Sequence, residues 1–450
     1  MKIVLVGAGS AQFGYGTLGD IFCSKVLKGA QIVLHDINPD TLKTVTDTAK
    51  GFIEKNKLDF TVSAELNRKE AFKNADFIIS SIEVGNRFKL WDQDWKIPLQ
   101  YGINQVYGEN GGPGGIFHSL RIIPPILEIV KDALEICPDA WIFNYSNPMT
   151  AICTAVKRAY PEAKFIGMCH EIGWLNRWLP PMLKMQLDDI YFKAAGLNHF
   201  SCMLEIKDKK TGNDLYPEVL KKADDFFHHE AGYSDVWDMY RKTGKFEESE
   251  RYYKEHSGVK SAYEWADRRL HKFILDTYKL LPITVDSHFG EYIGWAWDVA
   301  DHRGIADFYD LYRTELGEKT PFIEMQTHER VIPIIDGMLT NEGYEEAAVN
   351  ILNNGLLEDL PSWIAVEVPA IIDKNGITGI KIGTLPKGYA ALLRNYCGVY
   401  DLTAEAILHK DKNLVVQALL ANPVVHKASV VEKLVDHMIS AQQKWLGYLE

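Results

Sequence analysis

KIVLVGAGSAQ, residues 2–12, decides the fold. A short apolar run enters the glycine turn Gly7-Ala8-Gly9-Ser10, and QFGYGTLGDIFCSKVL then takes up a helical period. Strand, glycine turn and helix in that order open a dinucleotide-binding unit. The turn brings backbone N–H groups and a helix N-terminus onto a pyrophosphate. The pattern is incomplete, because Gln12 stands where the third glycine of the fingerprint belongs. An ordinary tight turn is therefore the plain alternative. Asp36 closes the next apolar run, QIVLHDIN, 29 residues after Gly7, where an acid holds a ribose diol. An acid there repels a 2′-phosphate, so the expected cofactor is NAD rather than NADP, with Gly7, Gly9, Ser10 and Asp36 as its contacts.

Outward from that unit the alternation continues. TLKTVTDTAKGFIEK has a helical period, FTVSAE that of a strand, and KEAFKNA that of a helix. DFIISSIEVG, AWIFNYSNPM and KFIGMCH are further buried strands, separated by helical runs around 120–138 and 150–161. Such alternation predicts a parallel, doubly wound Rossmann-like sheet, hence an α/β fold. Past residue 180 the alternation fades into strands around the turn in YFKAAGLNHFSCMLEIKD, helical stretches at 216–227 and 260–280, a strand at IAVEVPAIIDKNGI, and C-terminal helices. The expected division is a dinucleotide-binding domain at 1–180 and an α+β catalytic and oligomerisation domain at 181–450. A chain of 450 residues is long enough for two such units.

Composition narrows the function. A net charge of −12 argues against nucleic acid and anionic membranes, which require basic patches. No apolar run approaches the roughly 20 residues of a membrane span. The apolar start of MKIVLVGAGSA is too short for an export signal and turns at once into glycines. Six cysteines without a CxxC pair are expected as reduced thiols, and a cytoplasmic protein is expected.

Polar groups collect at the strand ends, where ligands gather in doubly wound sheets. They are the glycine turn, Asp36, Ser80-Ser81, the NYSNP run ending at Pro148, and Cys169-His170-Glu171. The last group leaves three readings open. It is a buried thiol beside a core histidine, a Cys–His catalytic pair, or a metal ligand completed from elsewhere. Neighbours on a strand end point to opposite sides, which disfavours a direct Cys169–His170 contact. His199, in the polar turn GLNHF, is the distant candidate for a shared metal with Cys169. GENGGPGG at 108–115 is expected as a glycine-rich loop ahead of a helix, and LPITVDSHFGEYIGW at 281–295 carries Asp286, His288, Glu291 and Tyr292.

GAGS at 7–10, GPGG at 112–115, NYSNPM at 144–149, CHE at 169–171 and GLNHF at 196–200 together resemble glycoside hydrolase family 4. NNGLLEDLPSWIAVEVPA at 353–370 and GTLPKG at 383–388 extend the resemblance along nearly the whole chain. The resemblance implies a glycosidase that uses NAD and a divalent metal, usually manganese, outside the two-carboxylate scheme. Hydride leaves carbon 3 of the sugar, a base removes the proton at carbon 2, the aglycone is eliminated, water adds and hydride returns. It implies Cys169 and His199 as metal ligands, Asn147 as a cofactor and substrate contact, and Glu109 as a polar group facing the sugar. It makes His170 a candidate to assist the leaving group or hold a hydroxyl. Asp286, with Tyr292 second, is the expected base.

His170 resembles the branch acting on non-phosphorylated sugars, and Glu171 the α-galacturonidase-type members. α-Glucuronides, α-galactosides and α-glucosides are the alternatives. A uronate requires a cation or N–H donors, for which Arg121 and His118, following the GPGG stretch, are the candidates. The partners expected are a small glycoside and a second copy of the chain, as homodimer or homotetramer. A malate- or lactate-type dehydrogenase is the rival reading, and the Cys169/His199 pair argues against it.

Overall fold

The computed structural model describes residues 1–10, 13–245, 260–318, 320–327 and 329–449. Ala11 and Gln12, the latter at the third fingerprint position, lie outside the described residues.

Six strands build the parallel core: β1 (Lys2–Val6), β2 (Gln31–His35), β3 (Thr61–Ala64), β4 (Phe77–Ser80), β5 (Trp141–Asn144) and β6 (Phe165–Gly167). Their spatial order is β3-β2-β1-β4-β5-β6, all parallel. The expected doubly wound α/β sheet is therefore present. Its strands are apolar along their length because both faces are covered. Alternate side chains go to opposite layers. Ile3, Leu5, Ile32 and Leu34 pack with the helices Phe13–Cys23, Pro39–Asn56 and Val331–Thr340. Val4, Val6, Val33 and Ile78 pack on the other side with Gly112–Ile136, Met149–Ala159 and Lys387–His409.

Local chemistry sets the element ends. Asn38 caps the helix Pro39–Asn56 by accepting from the backbone N–H groups of Asp40 (3.0 Å) and Thr41 (3.3 Å), and Pro39 needs no donor at that position. The same logic corrects the expected loop at 108–115. Gly111 is the N-cap and Pro113 lies in the first turn, so GPGG begins the helix Gly112–Ile136 rather than preceding it. The helix Arg87–Gln100 carries no expectation from the alternation, although Asn86 caps it by accepting from Lys89 N–H at 3.0 Å.

The second half is not a separate body beside this sheet. Its strands β7 (Ile190–Ala195), β8 (Cys202–Asp208) and β9 (Leu281–Pro282) form a small antiparallel sheet. But β10 (Tyr344–Leu352), β11 (Ala365–Asp373) and β12 (Gly376–Gly379) continue the large one. β10 joins β6 antiparallel through Asn350 and Gly167, giving a sheet of nine strands among the described residues. Among the described residues, no helix is long and apolar enough to cross a membrane.

Candidate active site

The sheet order reverses between β1 and β4, and a crevice opens there at the strand ends. Gly7 and Ala8 donate to His35 O at 3.0 and 3.2 Å, which folds the glycine turn back over β2. Asp36 accepts from Gly9 N–H at 2.8 Å and from Asn38 N–H at 2.9 Å, which fixes its carboxylate at the rim. Gly7, Gly9, His35, Asp36 and Asn38, with Ser10 and Ser146, line a cleft of about 640 Å³. All four strand-end residues expected to hold a dinucleotide, Gly7, Gly9, Ser10 and Asp36, are thus on one wall of one cleft.

A second cavity of about 500 Å³ lies beside it and shares Arg87, Glu109, Tyr145 and Asn147 with the first. That size suits a small ligand. Asn147 follows β5, preceding a cis peptide bond to Pro148. The strand-end turns are tied together. Ser146 Oγ accepts from Ile82 N–H and donates to Ile82 O, both at 2.9 Å, and Tyr145 N–H donates to Ser80 O at 2.8 Å.

The floor of the second cavity holds Cys169, Glu171 and His199, whose ligand atoms lie within 4.8 Å of one another. Cys169 Sγ is 3.3 Å from His199 Nε2, and Glu171 Oε2 is 3.8 Å from the same nitrogen. Cys169 and Glu171 come from the turn after β6. His199 comes from the turn between β7 and β8, where it adopts a left-handed φ of 60°. That turn is braced from the second half of the sheet. Glu367 on β11 accepts from Asn198 Nδ2 (2.6 Å) and Ser201 Oγ (2.8 Å), and pairs its backbone with Gly196.

The electrostatics of the floor suit a cation. Burial, and then the Glu171 and Glu367 carboxylates, push the Cys169 thiol well above its usual range. Burial, with His288 and His170 nearby, holds His199 well below its usual value. Burial lifts Glu171 to about 7. Left to themselves, three potential ligands are thus driven toward their neutral forms, and Glu171 Oε2 has no hydrogen-bond partner. A divalent ion among them reverses this logic, because it favours thiolate and carboxylate. The donor set therefore fits a metal.

Above the floor stands His288. Its Nε2 is 3.7 Å from Glu171, and its Nδ1 is 3.2 Å from Asn110 Nδ2 and 3.8 Å from Glu109. Burial alone lowers an imidazole; the Glu171, Glu291 and Glu109 carboxylates outweigh it and raise His288 to about 9. Glu109 is buried, lines both cavities and accepts from Arg87 at 3.1 Å. His170 lies at the mouth, 74% exposed, with Nδ1 3.7 Å from Glu329.

Three expected residues are elsewhere. Asp286 lines neither cavity. It is fully buried, and its two oxygens accept from the backbone N–H groups of Leu270 (2.9 Å), His271 (3.0 Å) and Asp301 (2.8 Å). Tyr292 packs in the core, stacked on Phe200 at 4.8 Å, and donates to Asn198 O. Arg121 makes a buried two-pronged ion pair with Asp94 and donates to Gln442 at 2.8 Å. It borders the dinucleotide cleft rather than the second cavity, and so does His118. The segment 281–295 does reach the site, but through His288.

Asp286 is accordingly a structural residue, and its replacement by Ala is expected to lower the thermal unfolding midpoint. Hydrogen bonds to a charged group contribute about 1.5–3 kcal/mol each, so three left unanswered cost several kcal/mol. The pH profile of kcat/KM of the folded fraction is expected to keep its shape. A profile that loses one limb at an unchanged midpoint would return Asp286 to the proton chemistry.

Residues 2–185 match the family model described as family 4 glycosyl hydrolase, and residues 194–425 match that of its C-terminal domain. The α-glucosidase of Erwinia rhapontici is 56% identical over 451 residues, which covers 100% of this chain and 99% of the relative. The α-galacturonidase of Thermoanaerobacter italicus is 28% identical, covering 99% of this chain and 97% of its own length. Among solved structures, the 6-phospho-β-glucosidase of Thermotoga maritima with manganese, NAD+ and glucose-6-phosphate superposes with a TM-score of 0.73 at 22% identity. The match covers 99% of each chain.

Proposed function

We propose that this chain, which belongs to family 4 of the glycosyl hydrolases, is an NAD- and divalent-metal-dependent α-glucosidase acting on non-phosphorylated α-glucosides. The observation that carries the reading is the shared wall. Arg87, Glu109, Tyr145 and Asn147 belong both to the dinucleotide cleft and to the cavity whose floor is Cys169, Glu171 and His199. A sugar bound in the second cavity would lie beside a dinucleotide held in the first, and next to the residues that would hold an ion. When bound, the dinucleotide supplies a reversible hydride acceptor and the ion supplies Lewis acidity. Gly7, Gly9, Ser10 and Asp36 hold the first, and Cys169 and His199 the second.

The chain's own residues do the positioning. Glu109, held by Arg87, accepts from sugar hydroxyls. Asn147 spans cofactor and sugar. His170 at the mouth faces the leaving group, and His288 presents an N–H to the ring oxygens. A protein with a functional thiol in its site works in a reducing compartment, consistent with a cytoplasmic location.

Two observations favour a glucoside over the expected α-galacturonide. The full-length relative at 56% identity is an α-glucosidase, against 28% for a galacturonidase. And among the described residues the cations lining this cavity already face carboxylates: Arg87 pairs with Glu109, Arg177 lies 3.4 Å from Glu230, and His288 stands between Glu171 and Glu109, while Arg121, bound to Asp94, borders the other cleft. Glu109 and Glu171 suit hydroxyls and repel a carboxylate.

Reduced protein with Mn²⁺ and catalytic NAD is expected to release glucose from an α-glucoside in amounts far above the NAD present. Its kcat/KM for the glucoside is expected to exceed that for an α-galacturonide by at least about a hundredfold, since a carboxylate set beside those of Glu109 and Glu171 costs several kcal/mol. Preference for the galacturonide would overturn the substrate reading. NADH accumulating in step with substrate, without bond cleavage, would overturn the glycosidase.

A further inference from the structure

We propose that Glu171 is a third protein ligand of the metal, through Oε2, and that Thr284 positions it through Oε1. The inference rests on the reading of Cys169 and His199 as ligands.

The turn after β6 explains how one short peptide supplies two donors. Gly173 N–H donates to His170 O at 2.9 Å and Trp174 N–H to Glu171 O at 3.0 Å, so the chain curls as it enters the helix Gly173–Leu183. Residues 169 and 171 consequently face inward, while His170 between them is 74% exposed. Glu171 is 5% exposed. Thr284, itself fully buried, donates to Oε1 at 2.8 Å and leaves Oε2 directed at His199 Nε2, 3.8 Å away, without a hydrogen bond of its own. An orphaned carboxylate oxygen in a buried pocket is costly unless something positive meets it. Here it belongs to the same cluster as the thiol and imidazole.

Charge and hardness point the same way. A thiolate and a carboxylate together cancel a divalent charge, whereas thiolate and imidazole leave one unit uncompensated in a buried site. Manganese-like ions prefer oxygen donors, and a Cys–His pair alone offers none. Three donors on the floor leave the remaining coordination positions toward the cavity, where sugar oxygens arrive. Such a donor set would hold the ion without substrate.

The test is Co²⁺ titration of metal-stripped full-length protein without sugar, read as the near-ultraviolet thiolate–cobalt absorption and as Kd. Wild type is expected to bind one ion with that band, and Cys169→Ala to lose the band. Glu171→Gln is expected to keep the band but weaken Kd by at least about tenfold, and Thr284→Val to weaken it less, within the range found for orienting groups. Glu171→Asp preserves charge on a shorter arm and guards against a folding failure of the Gln variant; its Kd is expected between the two. Wild type that binds no cobalt would sink the underlying ligand reading. Wild-type affinity in both Glu171 variants, beside a lost band in Cys169→Ala, would sink the role of Glu171 alone.

Discussion

Replacement of Cys169 by Ala is expected to abolish glucoside hydrolysis, lowering kcat by at least about a thousandfold. Lewis-acid stabilisation supplies several kcal/mol, and about 1.4 kcal/mol corresponds to each tenfold in rate. The side chain sits 3.3 Å from His199 and lines the cavity floor, so its loss removes one donor of a small set. Chelation of wild type is expected to give the same inactive state, reversed by Mn²⁺; Cys169→Ala is expected to stay inactive with Mn²⁺ added. Binding of NAD, measured separately by fluorescence titration, is expected to survive, because Cys169 does not line the dinucleotide cleft. Cys137→Ala serves as the control. That thiol is buried at the end of the helix Gly112–Ile136, and its loss is expected to leave turnover unchanged. Activity retained in Cys169→Ala and also after chelation would remove the metal from the chemistry.

That cysteine was legible as a site residue, and His199 as a distant candidate in a polar turn, but only the resemblance implied that the two share a metal. Thirty residues separate the two, and no local spacing rule links them. The strand ends were the readable part, since a parallel sheet directs its polar groups to one edge whatever the sequence between them. The burial of Asp286 was not readable. An acid in a segment rich in His, Glu and aromatics has the same letters whether its carboxylate meets a sugar or three backbone N–H groups. Only the return of the chain at Leu270, His271 and Asp301 decides it. The same holds for Arg121. Its spacing from GPGG placed it near the site, but Asp94 lies on a helix the alternation did not reveal, and Gln442 on the C-terminal segment.

The continuity of the large sheet was hidden for a related reason. β10 to β12 are separated from β6 by well over a hundred residues, and a single bridge, Asn350 to Gly167, joins them. Yet this joint carries Glu367 to the turn of His199. WIAVEVPA signalled a strand, and the lone acid inside an otherwise apolar strand was the available hint that something polar needed bracing there.

The other large effect is expected at the first turn of the chain. Gly7→Ala is expected to destroy NAD binding, with an affinity loss of at least about a hundredfold, the scale on which a displacement of 1 Å is felt in a positioned site. Gly7 has φ +82°, where a Cβ is strained, and a Cβ built there would lie 2.0 Å from Ser81 O and 2.9 Å from Ser81 C. Both atoms are backbone, in the segment that leaves β4, so neither can rotate away. The turn or the strand end must move, and each carries the cleft wall. The unfolding midpoint is expected to fall as well, because the same displacement disturbs the bond from Gly7 N–H to His35 O. Gly16→Ala separates this from a general effect of adding a methyl group. Gly16 lies in the helix Phe13–Cys23 that follows the turn, with nothing within 4 Å of its would-be Cβ. There the substitution is expected to raise stability by about 0.5–1 kcal/mol through helix propensity alone, with NAD affinity and turnover unchanged. Isothermal titration with NAD+ and thermal unfolding of both variants decide the matter. If Gly7→Ala binds NAD as tightly as Gly16→Ala, the glycine turn is an ordinary strand-to-helix connection, and the dinucleotide must be held by another part of the cleft.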